Sequence, residues 1–67
     1  MAARSTPARE RMLAKILALV ERNPGIRPSE INRRLKLTQS DALRAELIRR
    51  GLARKVKSGR ATLLYAT

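Results

Sequence analysis

The chain has 67 residues, room for one small domain that buries only about 60% of the surface its unfolded chain exposes. It has no cysteine and no histidine, which excludes disulfides and the usual zinc ligand sets. Sixteen Lys and Arg stand against five Asp and Glu, a net charge of +11. That field points to a polyanionic partner, nucleic acid before an anionic membrane, because solubility alone needs a charge of only about 2 to 8.

Residues 1–6 read as a flexible N-terminal arm. Arg4 could give that arm a minor-groove contact. Residues 7–67 read as the folded domain. Thr6-Pro7 is a helix start, threonine as cap and proline in the first turn, and the first helix should run to about Arg22. Its apolar stripe is Met12, Leu13, Ile16, Leu17, Leu19 and Val20, with Arg9, Arg11 and Lys15 off it. The same stretch looks in part like a targeting segment, arginines followed by MLAKILALV. Lys15 interrupts the run, no small-residue cleavage site follows, and it is too short to span a bilayer, so it is expected to stay with the domain.

Asn23-Pro24-Gly25 should stop the first helix. Ile26, isolated among polar and turn residues, should pack inward as a one-residue edge strand against a C-terminal hairpin. Ser29 is a cap for a second, short helix carrying Ile31 and Leu35 on one face. Lys36-Leu37 makes the break. Thr38 then opens a third helix as TQSD, a capping box in which Thr38 and Asp41 exchange backbone contacts. Leu43, Leu47 and Ile48 supply the apolar positions of this helix, Arg49 and Arg50 fill its last turn, and Gly51 ends it in the left-handed conformation. A short helix, a turn and a longer helix with a polar start form a helix-turn-helix pattern. Beyond Gly51, residues 52–57 and 61–66 read as two strands around a Ser58-Gly59 turn. Leu52 and Val56, with Leu63 and Tyr65, are assigned to the core side. Arg54 then falls on the same side, which calls for a bulge or a stem lying along the surface.

The order helix, short strand, helix, turn, helix, hairpin resembles the winged helix-turn-helix family over roughly residues 7–67. The segments that carry the resemblance are NPGIRPSEINRRLKL, ELIRRGL and KVKSGRATLLYAT. It implies an α+β, mostly α fold: a three-helix core with a C-terminal two-stranded wing, the third helix entering the major groove and the wing meeting the flanking backbone. NPGIRPSEI and GRATLLYAT resemble bacterial transcription regulators and antitoxin or phage regulators. RLKL, ELIRRGL and VKSGRATLLY resemble the winged-helix protein of the archaeal and eukaryotic small ribosomal subunit. That protein has a longer segment between the two helices and a different one before the second, which favours the DNA-binding variant.

Bases are read by Gln, Asn, Ser, Thr and Arg at the start of such a helix, and Thr38, Gln39, Ser40 and Arg44 are those types in that place. Arg44 could pair with guanine and Gln39 with adenine. The plainer alternative is that Thr38 and Ser40 only cap the helix and Gln39 is solvated. Arg33, Arg34 and Lys36 at the end of the second helix, and Lys57 and Arg60 at the wing, suit phosphate. Five scattered acids without His or Cys do not make a catalytic set, no phosphate-loop pattern occurs, and a single aromatic, Tyr65, offers no stacking platform. The expectation is a non-enzymatic, cofactor-free protein of the cytoplasm, associated with the nucleoid and with no membrane partner. It would bind double-stranded DNA specifically or semi-specifically and act by occupancy. A homodimer or cooperative array is expected, with helix 1 as the candidate contact if its apolar stripe exceeds what the core uses. Structured RNA, or a protein partner without nucleic acid, remain as alternatives.

Overall fold

The computed structural model describes residues 6–67, so the expected arm lies outside the described residues apart from Thr6. Three helices, α1 (Pro7–Arg22), α2 (Pro28–Leu35) and α3 (Asp41–Arg49), precede an antiparallel hairpin of β1 (Ala53–Ser58) and β2 (Ala61–Ala66). The fold is α+β and mostly helical, in the layout of a winged helix.

α1 begins as its sequence dictates. Thr6 is extended and its hydroxyl accepts the Arg9 N–H at 3.1 Å, with Pro7 just inside the helix. The helix buries Leu13, Ile16 and Val20 on one stripe. It ends at Asn23, whose backbone N–H and side-chain amide both donate to the Leu19 carbonyl, at 2.9 and 3.0 Å. Gly25 follows with φ +83, and a Cβ there would sit 3.3 Å from the Tyr65 hydroxyl. Both the backbone and the space therefore ask for glycine.

Ile26 forms the expected one-residue strand, an isolated antiparallel bridge to Leu64. The Leu64 N–H donates to Ile26 O at 2.9 Å and the Gly25 N–H donates to Leu64 O at 2.8 Å. The next helix starts earlier than expected. Arg27, not Ser29, is the residue before α2, with Pro28 at the first helical position and no side-chain cap. The reason lies in the proline: it is preorganised for a first turn and holds the preceding residue extended, here at φ −90, ψ 150. α2 closes through Lys36 in the left-handed region (φ 56), with the Leu37 N–H on the Asn32 carbonyl at 2.8 Å.

The third helix starts later than expected. Thr38 and Gln39 belong to the connection, Ser40 is the residue before α3, and no capping box forms. Asp41 turns its carboxylate to the Arg44 guanidinium instead of the backbone, while the Ser40 hydroxyl accepts from Arg44 Nε at 3.0 Å. A charged partner three residues along outcompetes a neutral amide. The far end closes as anticipated: Gly51 has φ 76, its N–H bonds Ile48 O at 3.0 Å, and the Leu52 N–H bonds Leu47 O at 3.0 Å.

The hairpin is shifted by one residue. Ser58 pairs with Ala61, so the turn is Gly59-Arg60 rather than Ser58-Gly59. The core-facing residues are Ala53 and Leu64, not Leu52, Val56, Leu63 and Tyr65; Leu52 is 41% exposed. The sets that share a face are the expected ones, with Val56 opposite Leu63 and Arg54 opposite Tyr65; the hairpin packs its other face inward because the bridge from Ile26 holds Leu64 there. Arg54 consequently lies on the outer face opposite Tyr65, its guanidinium 5.1 Å from the ring centre, without a bulge in the register.

Every element feeds the core: Leu13, Ile16 and Val20 from α1, Ile26, Ile31 from α2, Leu47 from α3, and Ala53 and Leu64 from the hairpin. Leu64→Ala should cost about 2–5 kcal/mol, whereas Leu52→Ala should cost about 1 kcal/mol or less. Thermal melts of the two variants decide between the observed strand phase and the shifted one, which would reverse their order.

Candidate nucleic-acid interface

The charges sort into two populations. Four of the five acids are held in ion pairs by arginines of α2, of α3 and of the α3 C-cap, Arg50. Glu30 takes Arg33 at 2.5 Å and Arg34 at 2.7 Å. Asp41 takes Arg44. Glu46 takes Arg49 at 2.6 Å and Arg50 at 2.7 Å, and Arg50 reaches on to Glu10 of α1 at 2.8 Å. These spacings of three and four residues are the ones a helix brings together. The segment from Gly51 to Thr67 carries Arg54, Lys55, Lys57 and Arg60 and no acid at all.

Among the described residues the cations without an ion-pair partner lie along α1, at Arg9, Arg11, Lys15 and Arg22, and on the wing and the two ends of α2, where Arg27 and Arg60 come together. A groove of about 580 Å³ runs between them, lined by Arg27 and Ser29 on one side and Ser58, Arg60 and Thr62 on the other. Neither arginine has an ion-pair partner among the described residues. Two guanidinium groups, three hydroxyls and the positive end of a helix dipole converge on this groove, a chemistry suited to phosphate oxygens. Lys57 stands opposite Thr62 in the register and is exposed, as are Lys36 at the end of α2 and Lys55.

The expected base-reading residues do not share one surface. Thr38 and Gln39 are exposed ahead of α3. Ser40 is buried, at 2% exposure, and its hydroxyl is engaged by Arg44. The Arg44 side chain is only 17% exposed and lies back over Ser40 and Asp41. The positions of α3 that face outward are Asp41, Ala42, Ala45 and Arg49. Of the expected phosphate contacts, Lys36, Lys57 and Arg60 are unpaired among the described residues, while Arg33 and Arg34 are shared with Glu30. Sequence reasoning missed Arg27. Its signal was available: it follows Ile26, the residue expected to pair with the hairpin, so it had to arrive beside the wing.

The Arg33 and Arg34 hydrogen bonds hold the Glu30 carboxyl at about 2, below its ordinary 4.5. Hydrogen bonds donated by Arg49 and Arg50 lower Glu46 as well, and the bonds Arg50 donates to Glu10 and Glu46 raise Arg50. Among the described residues no group of three or more His, Cys, Asp or Glu could hold a metal ion, and no helix is long and apolar enough to cross a membrane.

Comparison with protein-family models gives no match to this chain, and comparison with curated proteins gives none either.

The depressed Glu30 carboxyl has a consequence for stability. A carboxyl held lower in the folded chain stabilises it above the ordinary value of 4.5, and that contribution is lost as the pH falls toward 2. Glu30→Gln should therefore flatten the acid side of the stability–pH curve across this window. Urea melts at pH 6 and pH 3 measure it, and an unchanged difference between the two would remove the pair from the stability of α2.

Proposed function

We propose that the chain is a winged helix-turn-helix protein that binds double-stranded DNA and acts by occupancy. The biological role is that of a small transcription regulator of the bacterial or phage type, working in the cytoplasm at the nucleoid. It needs neither catalysis nor a cofactor. The observation that carries the reading is the sorting of charge. Four of the five acids are spent in ion pairs inside the helical part, and Arg27 and Arg60, in the groove between α2 and the wing beside Lys57 and three hydroxyls, have no ion-pair partner among the described residues.

In this account Arg27, Lys36, Lys57 and Arg60 grip phosphates, and Arg33 and Arg34 join them when they exchange Glu30 for DNA oxygens. Thr38 and Gln39 sit exposed where a reading helix begins, and Gln39 has the bidentate amide that matches adenine. Arg44 is the residue that braces the first turn of α3; to reach a guanine it must release Ser40 and Asp41. Small Ala42 and Ala45 on the outward face of α3 let the helix sit deep in a groove about 12 Å wide. A single strand is a poorer substrate, because the one aromatic ring is already covered by Arg54.

Five to seven phosphate contacts give a slope of log K against log salt of about −4 to −6 on duplex DNA. Lys57→Ala with Arg60→Ala should weaken all duplexes alike and flatten the slope by about 2. Fluorescence anisotropy with one duplex over a salt series measures both. A wild-type slope shallower than about −2 contradicts the mechanism. Competition at fixed salt won by structured RNA over the duplex moves the function to RNA.

A further inference from the structure

We infer that α1 is a self-complementary surface on which a second copy of this chain packs antiparallel. The starting observation is Glu21. It alone of the five acids has no hydrogen bond or ion pair among the described residues. No cation of its own helix lies three or four residues away, the neighbours at that spacing being Leu17 and Ala18. Arg11 is in the same position ten residues earlier, exposed and without an ion-pair partner among the described residues, with Pro7, Ala8, Ala14 and Lys15 at the helical spacings.

Arg11, Ala14, Ala18 and Glu21 are all exposed and lie on the side of α1 away from Leu13, Ile16 and Val20. Their spacing of three, four and three residues is that of the paired seam of a coiled coil. In the antiparallel arrangement the layers match without adjustment. Ala14 meets Ala18 of the second copy at the centre, and Arg11 meets Glu21 of the second copy at each end. A two-fold axis makes every such contact twice, so Arg11 and Glu21, about 15 Å apart, are complementary across the axis, while exposed Lys15 and Arg22 beside the seam add repulsion that weakens the dimer. The same surface laid parallel would set like charges together. The alanines allow the helix axes to approach to about 8 Å, and Leu17, half-buried beside the seam, gains cover from its counterpart. An interface of this kind falls below roughly 1,200 Å², so the dimer is weak and its strength depends on the end charges.

The test is sedimentation equilibrium of the full chain without nucleic acid. The native chain should show a monomer–dimer equilibrium. Arg11→Glu and Glu21→Arg should each raise the dimer dissociation constant about tenfold, since each places like charges in two symmetric pairs. The double variant Arg11→Glu with Glu21→Arg should return to within about twofold of the native value, because the pairs are re-formed in reverse. Arg11→Glu also lowers the positive charge of each copy, so if net repulsion alone governed association it would tighten the dimer. Arg11→Gln and Glu21→Gln, milder at exposed positions, should shift the constant in the same direction by less. A chain that stays monomeric at millimolar concentration, a tighter dimer for Arg11→Glu, or a double variant that fails to recover overturns the proposal.

Discussion

The backbone bridge between Ile26 and Leu64 is what the geometry of this small domain depends on. Two hydrogen bonds, Leu64 N–H to Ile26 O and Gly25 N–H to Leu64 O, tie the connection between α1 and α2 to the second wing strand. They bury Ile26 and Leu64 side by side and fix which face of the hairpin looks inward. They also carry Arg27 and Ser29, the next residues along, up to Ser58, Arg60 and Thr62. Without the bridge, a two-stranded hairpin is marginal and free to slip, and the groove has only one wall. Gly25 makes the approach feasible, since its φ of +83 strains any other residue and a Cβ there would crowd the Tyr65 hydroxyl at 3.3 Å.

Charge is organised with the same economy. Glu46 holds Arg49 and Arg50, and Arg50 extends to Glu10, joining the end of α3 to the start of α1. Glu30 holds two arginines along α2, and Asp41 with Ser40 holds Arg44 over the first turn of α3. The helical part therefore neutralises much of its own excess, while the hairpin has no acid with which to do so. Per residue the wing is the more positive part: residues 51–67 carry four cations and no acid, against eleven cations and five acids over residues 6–50.

Helix α1, the break at Asn23 to Gly25, the lone strand residue Ile26 and the end of α3 at Gly51 were all legible, because each rests on local chemistry: a threonine cap, a proline, a glycine. The starts of α2 and α3 were not. At α2 two local signals competed, Ser29 as a cap and Pro28 as a first-turn residue, and the proline prevailed. At α3 the capping box lost Asp41 to Arg44, a choice that depends on side-chain reach. The hairpin phase could not be read from its own strands, since Leu52, Val56, Leu63 and Leu64 are apolar on both faces; it is set by Ile26, distant in sequence. Of the candidate site, the exposed cations were legible as types. That Ser40 is buried, Arg44 folded back and Arg27 drawn to the wing follows only from the tertiary arrangement.

The proposed polyanion surface comprises the groove and the approach to α3, and a chain of 67 residues lets every amide be followed. Titration of the labelled protein with a short duplex, read as amide chemical-shift changes, tests this most directly. The largest changes are expected at Arg27 and Ser29, at Thr38 and Gln39, and from Lys57 to Thr62, with α1 little affected. Changes concentrated on Arg11, Lys15 and Arg22 of α1, with the groove unmoved, would contradict it.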